Sequence, residues 1–215
     1  MADTSGLIQI LRKPPAVDVE KCDMCGAGIA DDHAHLVNLF SRSLMCVCRP
    51  CYLLFAHDGA GGARFRAVPQ RYVYVPEFGS AGSGWDLTDV PIGLAFFFEN
   101  SATGRVSGFY PSPAGATESE LPLDAWSALV QRAPALSTLV PDVEALLVRR
   151  REAARQPGGA QEGKDVALIV PIDACYELVG RIRKAWRGFQ GGDEVWREID
   201  GFFARAVERA GRPAA

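Results

Sequence analysis

Five of the chain's six cysteines fall between residues 22 and 51, and two pairs of them have the spacing of a metal-binding turn. Cys22 and Cys25 enclose Asp23 and Met24 and are followed by Gly26, while Cys48 and Cys51 enclose Arg49 and Pro50. A C-x2-C turn offers two sulfurs on one side only, so a tetrahedral ion needs a second pair folded back from elsewhere. Gly26 suits such a turn, because a residue without Cβ reaches the positive φ that lets backbone N–H groups face a thiolate. The predicted ligands are therefore Cys22, Cys25, Cys48 and Cys51. Cys46 stands two residues before Cys48 on a predicted strand and so on the same side, and His33 and His35 lie between the two pairs. These three are alternates for one of the four positions.

Four thiolates admit zinc, or a single iron in the rubredoxin manner. The second step, Cys48-Arg-Pro-Cys51-Tyr52, lacks the proline-first order and trailing glycine of a rubredoxin, which favours Zn2+. Four protein ligands leave no position for water, so the expected role of the ion is to hold a fold together.

Bringing the pairs together requires a return of the chain between them. Leu36 to Phe40, a turn at Ser41 to Ser43, and Leu44 to Val47 supply a hairpin, and Tyr52 to His57 a short helix expected to pack Leu53, Leu54 and Phe55 beneath the metal. The result is a zinc-ribbon or treble-clef-like module over residues 21–58, preceded by a flexible arm over 1–20 that contains Pro14 and Pro15. Ala60-Gly-Gly-Ala63 lacks the lysine and the following helix of a phosphate loop. It reads as a hinge, Gly59 to Gly62, before a second domain over 63–210.

That second domain reads as α+β, with a mainly antiparallel sheet and C-terminal amphipathic helices. Phe65 to Val68 and Arg71 to Val75 are short runs broken by Pro69 and Pro76, as edge strands are. Ile92 to Phe98 is continuously apolar, hence central in its sheet, and Arg105 to Tyr110 pairs back on it across a turn at Asn100 to Gly104. Pro111 to Glu118 is too rich in proline and glycine for regular structure and is expected to be a loop. A helix starts near Asp124 and stops at Pro134; Val143 to Val148 and Val166 to Val170 are strands, with a loop over 149–164. Asp173 and Asp193 are the expected caps of two closing helices, the first with Cys175, Val179, Ile182, Trp186 and Phe189 as its core stripe. Cys175 is then a packed thiol rather than a ligand.

Composition narrows the function. A net charge of -3 and a pI near 5.7 argue against a broad electrostatic footprint for nucleic acid or anionic membrane. Residues 1–6 are polar, Leu7 to Leu11 is too short for a secretory core, and no run reaches membrane-spanning length. Paired C-x2-C steps without a leader are expected in a reducing cytoplasm. The three histidines, His33, His35 and His57, all lie in or beside the cysteine module, so the Ser112, Thr117, Glu118, Ser119 and Glu120 stretch has no adjacent base, and the expectation is a protein that is not an enzyme.

Beyond the cysteines, a longer pattern is present: Pro91-Ile-Gly-Leu-Ala-Phe-Phe97, Phe109-Tyr-Pro-Ser-Pro-Ala-Gly-Ala-Thr-Glu118, Pro171-Ile-Asp-Ala-Cys-Tyr176, Trp186-Arg-Gly188 and Glu194-Val-Trp-Arg-Glu198. With both cysteine steps, it resembles an uncharacterised family of small cysteine-rich proteins encoded beside actinobacterial-type nickel-iron uptake hydrogenases. The resemblance implies a hydrogenase-linked context and brings no catalytic residue with it. The expected function is that of a non-catalytic zinc-binding accessory protein, acting in assembly, in maturation or on the finished complex by binding a hydrogenase subunit or maturation factor. The loop holding Ser112, Thr117 and Glu118 is the expected partner surface. A mononuclear iron carrier serving the hydrogenase is the alternative. A zinc-ribbon DNA-binding regulator, resting only on the basic side of the Asp173 helix, is a weaker third.

Overall fold

The chain forms two antiparallel sheets, one of three strands in the order Ser43–Val47, Ala34–Asn38, Phe65–Ala67 and one of six in the order Val73–Tyr74, Val166–Pro171, Glu144–Arg149, Leu94–Asn100, Arg105–Ser112, Gly115–Leu121. The computed structural model describes residues 19–57, 59–79, 93–112, 115–121, 123–150, 165–187 and 192–211. The arm expected over 1–20, apart from its last two residues, and the loop expected over 149–164, apart from Arg149 and Arg150, lie outside them, as does Phe189.

The small sheet begins with β1 (Ala34–Asn38) and β2 (Ser43–Val47), paired from Ala34 opposite Val47 to Asn38 opposite Ser43. Asn38 closes the turn, its side-chain oxygen accepting from the N–H groups of Phe40 and Ser41. A short helix, α1 (Arg49–Leu54), follows directly. β3 (Phe65–Ala67) then pairs with the other side of β1.

This pairing changes the expected division of the chain. Ala60–Ala63 forms a 3-10 turn leading into β3, so the glycine run lies inside the cysteine module's sheet rather than between two units. The hydrophobic core crosses the same boundary, since Val37 of β1 and Val68 pack with the large sheet and the last two helices. Arg66 of β3 also donates to the Pro141 carbonyl at 2.9 Å and to Asp142 at 3.2 Å.

The large sheet contains β4 (Val73–Tyr74), β5 (Leu94–Asn100), β6 (Arg105–Ser112), β7 (Gly115–Leu121), β8 (Glu144–Arg149) and β9 (Val166–Pro171). Both faces are covered, which is why β5, β8 and β9 read as continuous apolar runs. Leu94, Phe96, Leu147, Leu168 and Val170 turn to α3 (Ile172–Ala185) and α4 (Gly192–Arg209). Ala95, Phe97, Leu146, Val148 and Ile169 turn to α2 (Leu123–Arg132) and to the 3-10 turn Pro134–Thr138. Cys175 is buried among the first set, and burial pushes its thiol well above the ordinary range, as a packed thiol requires.

Three local expectations are corrected. The stretch expected to be a loop from Pro111 to Glu118 is the end of β6 and most of β7, with Ser112 opposite Gly115, Thr117 opposite Tyr110 and Glu118 opposite Phe109. Pro111 is tolerated because the β5 ladder ends at Phe109, so its missing N–H costs no bond there. Leu53 and Leu54 do not pack beneath the metal site; they are 52% and 69% exposed, and the buried residue of α1 is Cys51. Asp173 and Asp193 sit in the first turns of α3 and α4 rather than before them, and α3 has Pro171 at its N-cap with no side-chain cap.

Candidate metal centre

Cys22 lies at the start of a tight turn closed by two backbone bonds, Gly26 N–H to the Cys22 carbonyl and Cys22 N–H to the Ala27 carbonyl, each 2.8 Å. Gly26 has φ +74, and a Cβ there would meet nothing within 4 Å, so glycine is required by backbone conformation and not by space. The turn is fastened to the end of β2: Asp23 N–H donates to the Cys46 carbonyl at 2.9 Å, and Cys46 N–H donates to the Asp23 carboxylate at 2.8 Å. On the other side Cys48 is the N-cap of α1, Pro50 occupies the first turn, and Cys51 follows within it. Tyr52 ties α1 to the strand beyond the glycine run through its hydroxyl, which donates to the Val68 carbonyl at 3.1 Å.

These supports bring one sulfur from each of Cys22, Cys25, Cys48 and Cys51 within 4.8 Å of all the others. The Cys25 and Cys48 sulfurs are 3.7 Å apart. Four thiolates at about 2.3 Å from a tetrahedral ion stand about 3.8 Å from one another, so the protein holds this edge at the length an ion needs. Cys22 and Cys51 are buried, Cys48 is partly covered and Cys25 is exposed.

The sulfurs share protons in a way that suits a metal. Burial opposes ionisation of Cys22, but the backbone N–H groups of Cys48, Cys25 and Met24 and the Cys25 thiol point at its sulfur and bring it down to about 6. Cys51 is pushed up to about 12, first by its hydrogen bond to Cys48, then by burial and by Cys25 and Cys22. The Ala27 N–H favours a thiolate at Cys25, yet contact with Cys22 and Cys48 leaves that group above its ordinary value.

The alternates do not join this group. Cys46 lies on β2 opposite His35 of β1, and with His33 these residues form a cluster of their own, again with ligand atoms within 4.8 Å. Shared strand direction therefore fails as a guide to Cys46 and Cys48, because Cys48 has already left the strand for the helix cap. Thr117 is half-buried and Glu118 exposed on β7, where the Glu118 carboxylate accepts from the Ser107 hydroxyl at 3.0 Å; Ser112 lies at the tip of the same hairpin.

Two interactions had no signal in the sequence, since their partners are far apart along it. Asp173, expected to be a cap, accepts from His35 Nδ1 at 2.8 Å and so joins α3 to the small sheet. Arg71 makes a two-pronged pair with Glu144, at 2.5 and 2.7 Å, and also donates to the Thr138 carbonyl. Glu144 is fully buried, and its second oxygen also accepts from the Val140 N–H at 2.8 Å.

The architecture and this centre define an α+β protein with antiparallel sheets and a four-cysteine cluster near its N-terminus that can hold a metal ion. The chain belongs to DUF5947, a family of unknown function whose model matches residues 21–210. Comparison with curated proteins gives no match, nor does comparison with solved structures. Among the described residues, no helix is long and apolar enough to cross a membrane.

Proposed function

We propose that this protein is a zinc-stabilised, non-catalytic accessory factor that works by binding another protein, in a nickel-iron hydrogenase system. The observation that carries the metal part is the convergence of four cysteine sulfurs within 4.8 Å, since an ion held there has every position filled by protein and serves to fix the fold. Zinc is favoured because the second cysteine step departs from the rubredoxin order. The hydrogenase setting rests on the resemblance of the sequence motifs. The partner is a hydrogenase subunit or a maturation factor, the compartment the cytoplasm, and nucleic acid is not a ligand.

The partner surface in this reading is the β6–β7 hairpin with Ser112, Thr117 and Glu118. Support comes from the position of β7 at the end of the six-stranded order, where its outer backbone groups offer hydrogen bonds to an incoming segment. The test is affinity purification of the full chain from its native host, beside a Thr117→Ala/Glu118→Ala variant of unchanged melting temperature. A hydrogenase component that co-purifies with the first and is depleted with the second is the expected result. No hydrogenase component with either would end this reading.

A second reading, the mononuclear iron carrier, draws on the exposure of Cys25, which puts one ligand sulfur at the surface where an electron could leave. About one iron per chain and a coloured oxidised form would select it over zinc.

A further inference from the structure

Among the described residues, one other group of metal-type ligands converges outside the four-cysteine centre. His35 and Cys46 are directly opposed in the β1–β2 ladder, so strand pairing puts both on one face of the hairpin, and His33 lies just ahead of β1, two residues before His35. The same face carries Val37 and Leu44 into the core shared with α3 and α4. A ring nitrogen of each histidine and the Cys46 sulfur lie within 4.8 Å of one another, and the two ring centroids are 4.8 Å apart.

The hydrogen bonds fix which nitrogens are free. His33 Nδ1 is 2.8 Å from the Ala30 carbonyl, an acceptor only, so Nδ1 carries the proton and Nε2 the lone pair. That Nε2 is buried with no hydrogen-bond partner among the described residues, on a side chain only 10% exposed. His35 Nδ1 faces Asp173 at 2.8 Å, the carboxylate–histidine arrangement that orients a ring for a metal. A simple tie between β1 and α3 accounts for His35. It leaves the naked, buried His33 nitrogen unexplained, and burying such a group without a partner costs stability.

We propose that His33, His35 and Cys46 form a second metal site, separate from the four-cysteine centre, for a borderline divalent ion of the zinc, cobalt and nickel group. Two imidazoles and one thiolate are the donor set such ions take. A tetrahedral ion separates such donors by about 3.3 to 3.6 Å. Asp173 positions His35, and Glu20 stands 4.0 Å from His33 Nδ1. Three protein ligands leave the fourth position for water or an exogenous ligand, which the four-cysteine centre does not offer.

The test is titration of the reduced, metal-stripped full chain with cobalt(II) chloride under anaerobic conditions. Two ions per chain are expected, the second with thiolate-to-cobalt absorption about one quarter as intense as the first, from one sulfur against four. Cys46→Ala and His33→Ala should each bring the count from two to one and leave the four-thiolate spectrum in place. Asp173→Asn should weaken only the second ion, by about 10- to 100-fold. A native chain that takes up one ion, with a four-thiolate spectrum, would overturn the second site and leave the first standing; so would two ions in both the Cys46 and His33 variants. Because the native count decides by itself, a variant that fails to fold does not protect the proposal.

Discussion

The two sheets of this protein are stabilised by different means. The three-stranded sheet has a separate core of five buried residues, Cys22, Ile29, Leu36, Val47 and Cys51, two of which are metal-type ligands. The six-stranded sheet is packed on both faces, with Leu146, Leu147, Leu168 and Ile169 fully buried at its centre. Small cores of the first kind do not offset the chain entropy of folding without a disulfide or a metal, whereas a doubly covered sheet does. What joins them is a thin seam of Val37, Val68, the His35–Asp173 bond and the Arg66 clasp on Asp142.

The contrast can be broken from the small side with the largest effect. Serine at both Cys22 and Cys51 removes two ligands and is expected to cost about 10 kcal/mol of metal-linked stability. Limited proteolysis should then cut within residues 21–57 while the fragment carrying β8 and β9 resists. From the large side, Leu147→Ala should cost about 4 kcal/mol by opening a cavity, read as a lower denaturant midpoint with unchanged metal content. Arg71→Ala leaves Glu144 charged and buried, and about 3 kcal/mol of destabilisation is expected in the same assay, moderated because Arg71 itself is partly exposed. The smallest effect belongs to Gly26→Ala, about 1 kcal/mol from forcing a side chain into φ +74, and it should weaken metal retention under chelator competition without abolishing it.

The same contrast explains what was legible in the sequence. Cysteine spacing placed the four sulfurs because a C-x2-C turn is a local structure, and the hairpin between the pairs followed from two short apolar runs bounded by Asn38 and Ser43. Apolar runs also placed β5, β8 and β9, since burial on both faces leaves an unbroken signal. The failures were contacts between distant segments. Pairing of β3 with β1 crosses a glycine run that looks like a linker, and β7 has the polar sequence of a loop because an edge strand needs few apolar residues. Asp173 looked like a helix cap because aspartate at a helix start usually is one; its partner, His35, is 138 residues away. Separation of Cys46 from Cys48 depended on where β2 ends, and strand ends are the least determined feature of a sequence pattern.

The central claim is that a metal on Cys22, Cys25, Cys48 and Cys51 holds the small sheet together while the large sheet needs none. Hydrogen exchange read by mass spectrometry, on the full chain before and after removal of metal by a chelator, tests it most directly. Amides of β1, β2 and α1 should lose protection on metal removal, in the same pattern as in the Cys22→Ser/Cys51→Ser chain, while those of β8 and β9 stay protected. Unchanged protection in β1 and β2 after the metal is gone, or loss of protection in both sheets together, would contradict it.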